Sequence, residues 1–125
     1  MNTPNKKILI IDDDPLVCDC ILKWLKENGF ACDCADERQE AVEKIKRSKP
    51  DIIILDTEMQ ANGLETYKMI RETPGAKNIP VIFLSSWEKP DWALLKNPGE
   101  PVKYLEKPCD LNYITAAISN LIRTL

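Results

Sequence analysis

Acidic side chains follow two short apolar runs in this chain, and their types suit the binding of a metal ion. Ile8–Ile11 leads into Asp12 and Asp13, and Ile52–Leu55 leads into Asp56. Carboxylate oxygens are hard ligands that favour Mg²⁺, Ca²⁺ or Mn²⁺. Three carboxylates gathered in one cleft would repel one another unless a cation compensated their charge. These acids therefore indicate a candidate metal site if the fold brings them together.

Asp56 could also act as a nucleophile toward phosphorus. A carboxylate beside a divalent cation can form an aspartyl-phosphate, while the metal and a lysine neutralise the charge that develops on the phosphoryl oxygens. Ser85 follows the apolar run Val81–Leu84, and Lys107 follows Val102–Glu106. Alone, Ser85 is more typical of a turn and Lys107 of a solvated surface. In the order acid pair, acid, hydroxyl and lysine, the residues together favour phosphoryl chemistry.

These side chains need the edge of a sheet to position them. Unbroken apolar runs of this length are typical of strands buried on both faces of a parallel sheet. The chain alternates such runs with segments of helical spacing, which predicts five β–α units with right-handed crossovers. Ligands of such sheets bind outside the carboxyl ends of the strands. We therefore expect all these polar groups at one edge.

Capping residues predict where the helices begin. Asp14, directly before a proline, is typical of a helix N-cap rather than of a metal ligand. Asp36, with Gln39 three residues later, predicts a capping box for the second helix. Asp110 predicts the cap of the last helix. A more polar strand over residues 30–35 is expected at a sheet edge.

Length and composition predict one globular domain over residues 1–125, and the alternation of strands and helices makes it α/β. The formal net charge is −3, with acids and bases interspersed. This balance argues against a general binder of nucleic acid or of membrane surfaces, which would carry a basic stripe. No signal peptide and no apolar stretch of the roughly 20 residues that span a bilayer is found. We therefore expect a cytoplasmic protein with no direct nucleic-acid or membrane partner.

The five cysteines are an odd number without a secretory signal, which does not indicate a disulfide framework. Two Cys-x-Cys pairs raise the possibility of zinc, but structural zinc sites usually have at least two residues between paired cysteines. The spacing favours small buried or half-buried thiols. The five cysteines are Cys18, Cys20, Cys32, Cys34 and Cys109.

With these residues placed, the chain resembles the receiver domain of two-component response regulators over essentially its full length. The resemblance rests on residues 8–15, 50–56, 63–65, 80–85 and 105–108. It implies a five-stranded parallel sheet in the flavodoxin-like order 2-1-3-4-5, with helices on both faces.

The resemblance also implies the roles of the acidic residues. Asp56 would be the phosphoacceptor. Asp13 and Asp56 would ligate Mg²⁺ together with the main-chain carbonyl of Glu58, while Asp12 would help through water. No other cofactor is implied.

Three further residues match the family's switch and charge-neutralising positions. Ser85 would be the hydroxyl that moves toward the phosphoryl group. Tyr104 would be the aromatic side chain that changes rotamer with it. Lys107 would be the lysine that contacts the phosphoryl group or Asp56.

The resemblance implies a signalling module that catalyses only its own phosphoryl acceptance and autodephosphorylation. The donor would be a histidine kinase or a histidine phosphotransfer domain, and a homodimer or a downstream protein is a possible further partner. The chain contains no histidine, which fits an acceptor rather than a donor.

Two other functions compete with this interpretation. A degenerate receiver could dock partners without phosphorylation, a hypothesis motivated by residues 86–101, which carry three prolines and predict only a short helix near residues 91–96. A Mg²⁺-dependent phosphohydrolase of the haloacid-dehalogenase type would usually carry a second Asp where this chain has Glu58. The intact acids and Lys107 argue against the docking module, and Glu58 at that place argues against the phosphohydrolase, so the phosphorylated switch is favoured.

Overall fold

The computed structural model describes residues 6–56, 63–85, 101–106 and 110–124. Within these ranges five parallel strands form one sheet in the order β2-β1-β3-β4-β5. This result confirms the sheet and the strand order that the sequence and the family resemblance predicted. The strands are β1 (Lys7–Ile11), β2 (Ala31–Ala35), β3 (Ile52–Asp56), β4 (Val81–Ser85) and β5 (Val102–Glu106).

Helices cover both faces of the sheet, as predicted. In the described ranges they are α1 (Pro15–Glu27), α2 (Arg38–Ser48), α3 (Gly63–Glu72) and α4 (Leu111–Thr124). The buried cores place α1 and α4 on one face and α2 and α3 on the other. The short helix expected near residues 91–96 lies outside the described residues. Among the helices of the described ranges, none is both long and apolar enough to cross a bilayer.

The central strand β3 shows why its sequence is an unbroken apolar run. Ile52 and Ile54 contact the core beneath α1 and α4, whereas Ile53 and Leu55 contact the core beneath α2 and α3. All four side chains are fully buried, because alternate residues of a strand point to opposite faces and both faces are covered. β2 lies at the edge of the sheet, as its more polar sequence predicted, and its first four residues alternate between exposed and half-buried.

Two of the three predicted helix caps are confirmed. The Asp14 Oδ1 accepts a hydrogen bond from the Leu16 amide (3.0 Å), and the Asp110 Oδ1 accepts one from the Asn112 amide (2.9 Å). Helices α1 and α4 therefore begin where these aspartates predicted, since each carboxylate satisfies an amide that the first helical turn leaves unpaired.

The predicted capping box at Asp36 and Gln39 is wrong by one residue. Glu37 is the N-cap of α2 and makes no side-chain cap bond. The Asp36 amide instead donates to the Glu40 Oε1 (3.0 Å). The helix begins one residue later than expected, so Glu40 rather than Gln39 reaches back over its first turn. Asp is a preferred N-cap residue and Glu is not, so the sequence favours the register that the helix does not use.

Arg71 at the end of α3 ties the start of β4 to the start of β5. Its guanidinium donates to the carbonyl oxygens of Ile79 (2.6 Å) and Pro101 (3.1 Å) and lies 4.9 Å from the centroid of the Tyr67 ring. A guanidinium can serve several acceptors at once because it presents five N–H donors in a rigid fork. The side chain thereby holds the amino ends of the two strands whose carboxyl ends approach the acidic edge.

We predict that Asp14→Ala lowers the free energy of unfolding by about 1 kcal/mol, because the Leu16 amide loses its acceptor. Urea denaturation measures the change. Asp14→Asn is the matched control, since it removes the same charge but keeps a side-chain oxygen that can cap the helix. Equal losses for the two variants would show that charge, and not capping, accounts for the effect.

Candidate functional site

The carboxyl ends of β1 and β3 bring three carboxylates together. Ile11 pairs with Leu55 in the parallel register, so the residues that follow them leave adjacent strands at the same edge. Asp12 is 1% exposed and Asp56 is 4% exposed, while Asp13 is half-buried. One carboxylate oxygen from each of the three acids lies within 4.8 Å of the others. The acids that the sequence predicted to converge therefore do converge.

Asp12 is held by its backbone as well as by its side chain. Its amide donates to the carbonyl oxygen of Ala35 (3.0 Å), and its own carbonyl oxygen accepts from the Cys18 thiol (3.4 Å). Its Oδ1 accepts a hydrogen bond from the Asp14 amide (2.9 Å). Asp14 thus caps α1 with its side chain while its amide orients Asp12. The sequence predicted the cap at Asp14 but not the bond from its amide to Asp12.

The other predicted site residues are placed only in part. The backbone of Ser85 ends β4, one residue beyond Leu84, which pairs with Asp56 across the sheet. Ser85 therefore lies at the acidic edge. Lys107 and Glu58 lie outside the described residues, and their expected roles stay predictions.

Tyr104 lies in β5 at the end of an aromatic row. Its ring stacks on Phe83 with centroids 5.3 Å apart and an interplanar angle of 19°, and Phe83 contacts Tyr67 at 5.1 Å. Burial raises the pKa of the Tyr104 hydroxyl, and this hydroxyl has no hydrogen-bond partner among the residues described. Moving the Tyr104 side chain would therefore break no hydrogen bond of its hydroxyl within the described residues.

Two cysteines lie close to the backbone of Asp12, and the sequence did not predict that they are neighbours. Cys18 in α1 is buried and Cys34 in β2 is half-buried, with the Cys34 Sγ 3.7 Å from the Cys18 carbonyl oxygen. The neighbouring Cys18 thiol lowers the pKa of Cys34, and the neighbouring Cys34 thiol together with burial raises the pKa of Cys18. Burial raises the pKa of Cys32 to about 12. The contact joins a helix to a strand 16 residues away, and no short motif encodes it.

A comparison with known protein families identifies the family of this chain. The model of the response regulator receiver domain matches residues 8–119. The chain belongs to the response regulator receiver family. It is a signalling module of the kind found in response regulators, and the match extends from the first strand into the last helix.

Relatives of this receiver domain include longer regulators. The chain is 30% identical over 118 residues to the response regulator MprA of Mycobacterium leprae, a match that covers 94% of the chain and 51% of that protein. It is 32% identical over 116 residues to the transcriptional regulatory protein CrdR of Helicobacter pylori, covering 90% of the chain and 53% of that protein. The chain thus spans about half the length of these curated relatives.

Solved structures agree with the receiver fold. A two-component response regulator from Clostridium difficile has a TM-score of 0.82 and 30% sequence identity, with 95% of this chain and 97% of that chain covered. The chemotaxis protein CheY4 of Vibrio cholerae has a TM-score of 0.84 at 23% identity, covering 94% of this chain and 98% of that chain. The second likeness supports the fold alone.

The donor set of this receiver domain suits Mg²⁺. All three clustered side chains are carboxylates, the hard oxygen donors that Mg²⁺ prefers, and two of them are almost completely buried. Buried carboxylates at this spacing repel one another, and a divalent cation would compensate that charge. Among the described residues this acidic cluster is the one group of acids and cysteines close enough to share a metal ion.

Proposed function

We propose that this chain accepts a phosphoryl group on Asp56 in a Mg²⁺-dependent transfer and changes conformation in response. The observation that carries this proposal is the cluster of Asp12, Asp13 and Asp56, with carboxylate oxygens within 4.8 Å of one another at the carboxyl edge of the sheet. An acid in such a cluster is positioned both to share a cation and to attack phosphorus.

The metal would be held by Asp13, Asp56 and the main-chain carbonyl of Glu58, with Asp12 contributing through water. Bound Mg²⁺ would supply positive charge for the phosphoryl oxygens as the transfer proceeds. Asp12 is suited to a fixed supporting role, since its amide, its carbonyl and one carboxylate oxygen are all engaged by the surrounding backbone and by Cys18.

In the transfer, a carboxylate oxygen of Asp56 forms a bond to phosphorus while the bond from phosphorus to the donor breaks. The proposed donor is a phosphohistidine of a histidine kinase or of a phosphotransfer domain, in which case that bond is to a ring nitrogen. Lys107 would pair with a phosphoryl oxygen, because an ammonium group stabilises negative charge there. The chain itself would catalyse nothing beyond this acceptance and the later loss of its own phosphate.

The switch would act through Ser85 and Tyr104. The Ser85 hydroxyl would turn toward the new phosphoryl group and leave space beside β4. Tyr104 would move into that space, sliding its ring over Phe83, against which it already stacks. Such a switch is a shift between two populated states, with the phosphoryl group favouring one of them.

We place this function in one cytoplasmic receiver unit of residues 1–125, without direct contacts to nucleic acid or membrane. A homodimer or a downstream protein would read the switched surface.

Phosphoryl acceptance can be tested by incubating the chain with Mg²⁺ and acetyl phosphate and measuring its intact mass. We expect one phosphoryl adduct that base removes, and no adduct for Asp56→Asn, because an amide is a poor nucleophile. Asp19→Asn, an exposed acid on α1, is the matched control and should be phosphorylated like the original chain.

Three other results would argue against the proposal. No adduct on the original chain would favour a docking module that does not need phosphate. An undiminished adduct on Asp56→Asn would place the acceptor elsewhere. Rapid turnover of unrelated phosphate esters would favour a phosphohydrolase.

A further inference from the structure

We propose that Cys18 and Cys34 form a reversible disulfide on exposure to hydrogen peroxide and that this disulfide weakens metal binding by displacing Asp12. The formation of the disulfide does not depend on the proposed function. Its effect on Mg²⁺ rests on the proposed function, and the experiment below separates the two.

The Cys34 side chain already reaches Cys18 across the α1–β2 interface. The Cys34 thiol donates a hydrogen bond to the Cys18 carbonyl oxygen (3.7 Å), and both cysteines line the same cavity. A disulfide requires sulfurs about 2.05 Å apart and closely spaced Cα atoms, so a Cys34 sulfur that lies against the backbone of Cys18 is well placed for cross-linking. Cys20 is exposed on another side of α1, because residues two apart on a helix point away from each other.

An open cavity gives a small oxidant access to the pair. Its volume is about 310 Å³, and both thiols line it. The remaining lining is rich in carboxylates, among them Asp19, Asp36 and Glu40. This negative charge disfavours anionic oxidants such as glutathione disulfide, whereas hydrogen peroxide is small and neutral. We therefore assign peroxide as the oxidant.

Cys34 is suited to react first. It is half-buried beside the cavity, and Lys44 donates a hydrogen bond to its carbonyl oxygen. The neighbouring Cys18 thiol and the charge of Lys44 lower the pKa of Cys34, although burial and Asp33 oppose them. Cys18 is buried directly behind it and is suited to resolve the oxidised sulfur.

The reaction takes two balanced steps. The Cys34 sulfur attacks one peroxide oxygen, the O–O bond breaks, and a sulfenic acid forms with release of water. The Cys18 sulfur then attacks the Cys34 sulfur, so that the S–S bond forms, the S–O bond breaks and a second water leaves. Two thiols and one hydrogen peroxide thus become one disulfide and two waters. A thiol reductant reverses the change by exchange.

Disulfide formation would disturb Asp12 through its backbone. The Cys18 thiol now donates to the Asp12 carbonyl oxygen (3.4 Å), and a disulfide sulfur carries no hydrogen to donate. The Asp12 amide donates to the carbonyl oxygen of Ala35 (3.0 Å), the residue next to Cys34. Both backbone contacts of Asp12 therefore involve the segments that the disulfide would pull together.

A double variant, Cys20→Ser with Cys32→Ser, makes the cross-link assignable. Trypsin would leave Cys18 and Cys20 together in residues 8–23 and Cys32 and Cys34 together in residues 27–38, so the original chain gives ambiguous peptides. The double variant is treated with hydrogen peroxide, its remaining thiols are alkylated, and peptides are mapped without reduction. We expect residues 8–23 cross-linked to residues 27–38, and release of both by dithiothreitol.

The matched control, Cys18→Ser with Cys34→Ser, keeps Cys20 and Cys32 and should show no such cross-link. Equal cross-linking in this control would overturn the proposed pair. So would conversion of Cys34 to sulfinic acid without a cross-link in the double variant. A third variant, Cys34→Ser added to the double variant, should also lose the cross-link.

Mg²⁺ titration of the reduced and oxidised double variant then tests the consequence. We expect about tenfold weaker Mg²⁺ binding after oxidation, comparable with the loss of a group that orients a metal ligand. Unchanged affinity in the cross-linked protein would overturn the effect on Asp12. Failure of the reduced protein to bind Mg²⁺ would contradict the proposed function instead, while the cross-link would still establish the thiol pair.

Discussion

Asp13→Asn is expected to stabilise the metal-free protein by about 1–3 kcal/mol and to remove most of its stabilisation by Mg²⁺. The carboxylates of residues 12, 13 and 56 lie within 4.8 Å, where two like charges repel by about 1 kcal/mol in water and about 4 kcal/mol near a protein surface. An asparagine removes that repulsion and also removes a charged ligand. The gain in stability without metal and the loss of stabilisation by Mg²⁺ therefore have the same cause, the removal of one negative charge.

Urea denaturation with EDTA and with excess Mg²⁺ measures both parts of this prediction. A metal at about 100 times its dissociation constant stabilises a folded protein by about 2.7 kcal/mol, which sets the size of the response expected from the original chain. Asp19→Asn removes the same charge from an exposed position on α1 and should leave both values within about 0.5 kcal/mol. A less stable metal-free Asp13→Asn protein, or one that keeps its full Mg²⁺ response, would contradict the prediction.

Phe83→Ala is expected to lower the free energy of unfolding by about 3–5 kcal/mol. The Phe83 side chain is 1% exposed and lies in β4 between the rings of Tyr67 and Tyr104. Its removal leaves a cavity and ends two aromatic contacts at once. Because a domain of this size has a total stability of about 5–15 kcal/mol, the loss is a large fraction of the whole.

Urea denaturation also measures this loss, and Phe83→Leu provides a milder variant that keeps most of the buried volume and should lose less. Tyr113→Ala is the surface control, because Tyr113 is 64% exposed on α4 and its truncation should change stability by about 0.5 kcal/mol or less. Similar losses for Phe83→Ala and Tyr113→Ala would show that the aromatic row is not a stabilising part of the core.

The apolar runs predicted the sheet well because the central strands meet helices on both faces. Ile52–Leu55 is buried throughout, so nearly every position is apolar and the pattern is hard to mistake. The edge strand β2 was predicted from the opposite signal, its more polar composition. The strand order came from the family resemblance, since alternation along the chain does not state which strands are neighbours.

Local signals were less reliable where two residues could play the same part. Asp14 was recognised as a cap because a proline follows it, and that position leaves no second candidate. At α2 the pairs Asp36–Glu37 and Gln39–Glu40 offered two registers, and the fold uses the one that the sequence did not favour. The expected roles of Ser85, Glu58 and Lys107 stay predictions, and only the first of these lies among the described residues.

By itself the sequence determined the class of fold, the positions of the strands and the acids that meet at their ends. Buried strands require apolar runs, and the polar residues that follow those runs show where the strands end. Only the tertiary structure decided that the Cys34 thiol contacts the backbone of Cys18 beside Asp12 and that Phe83 lies between two tyrosine rings. Those contacts join residues far apart in the chain, and their strength depends on packing geometry that residue types do not record.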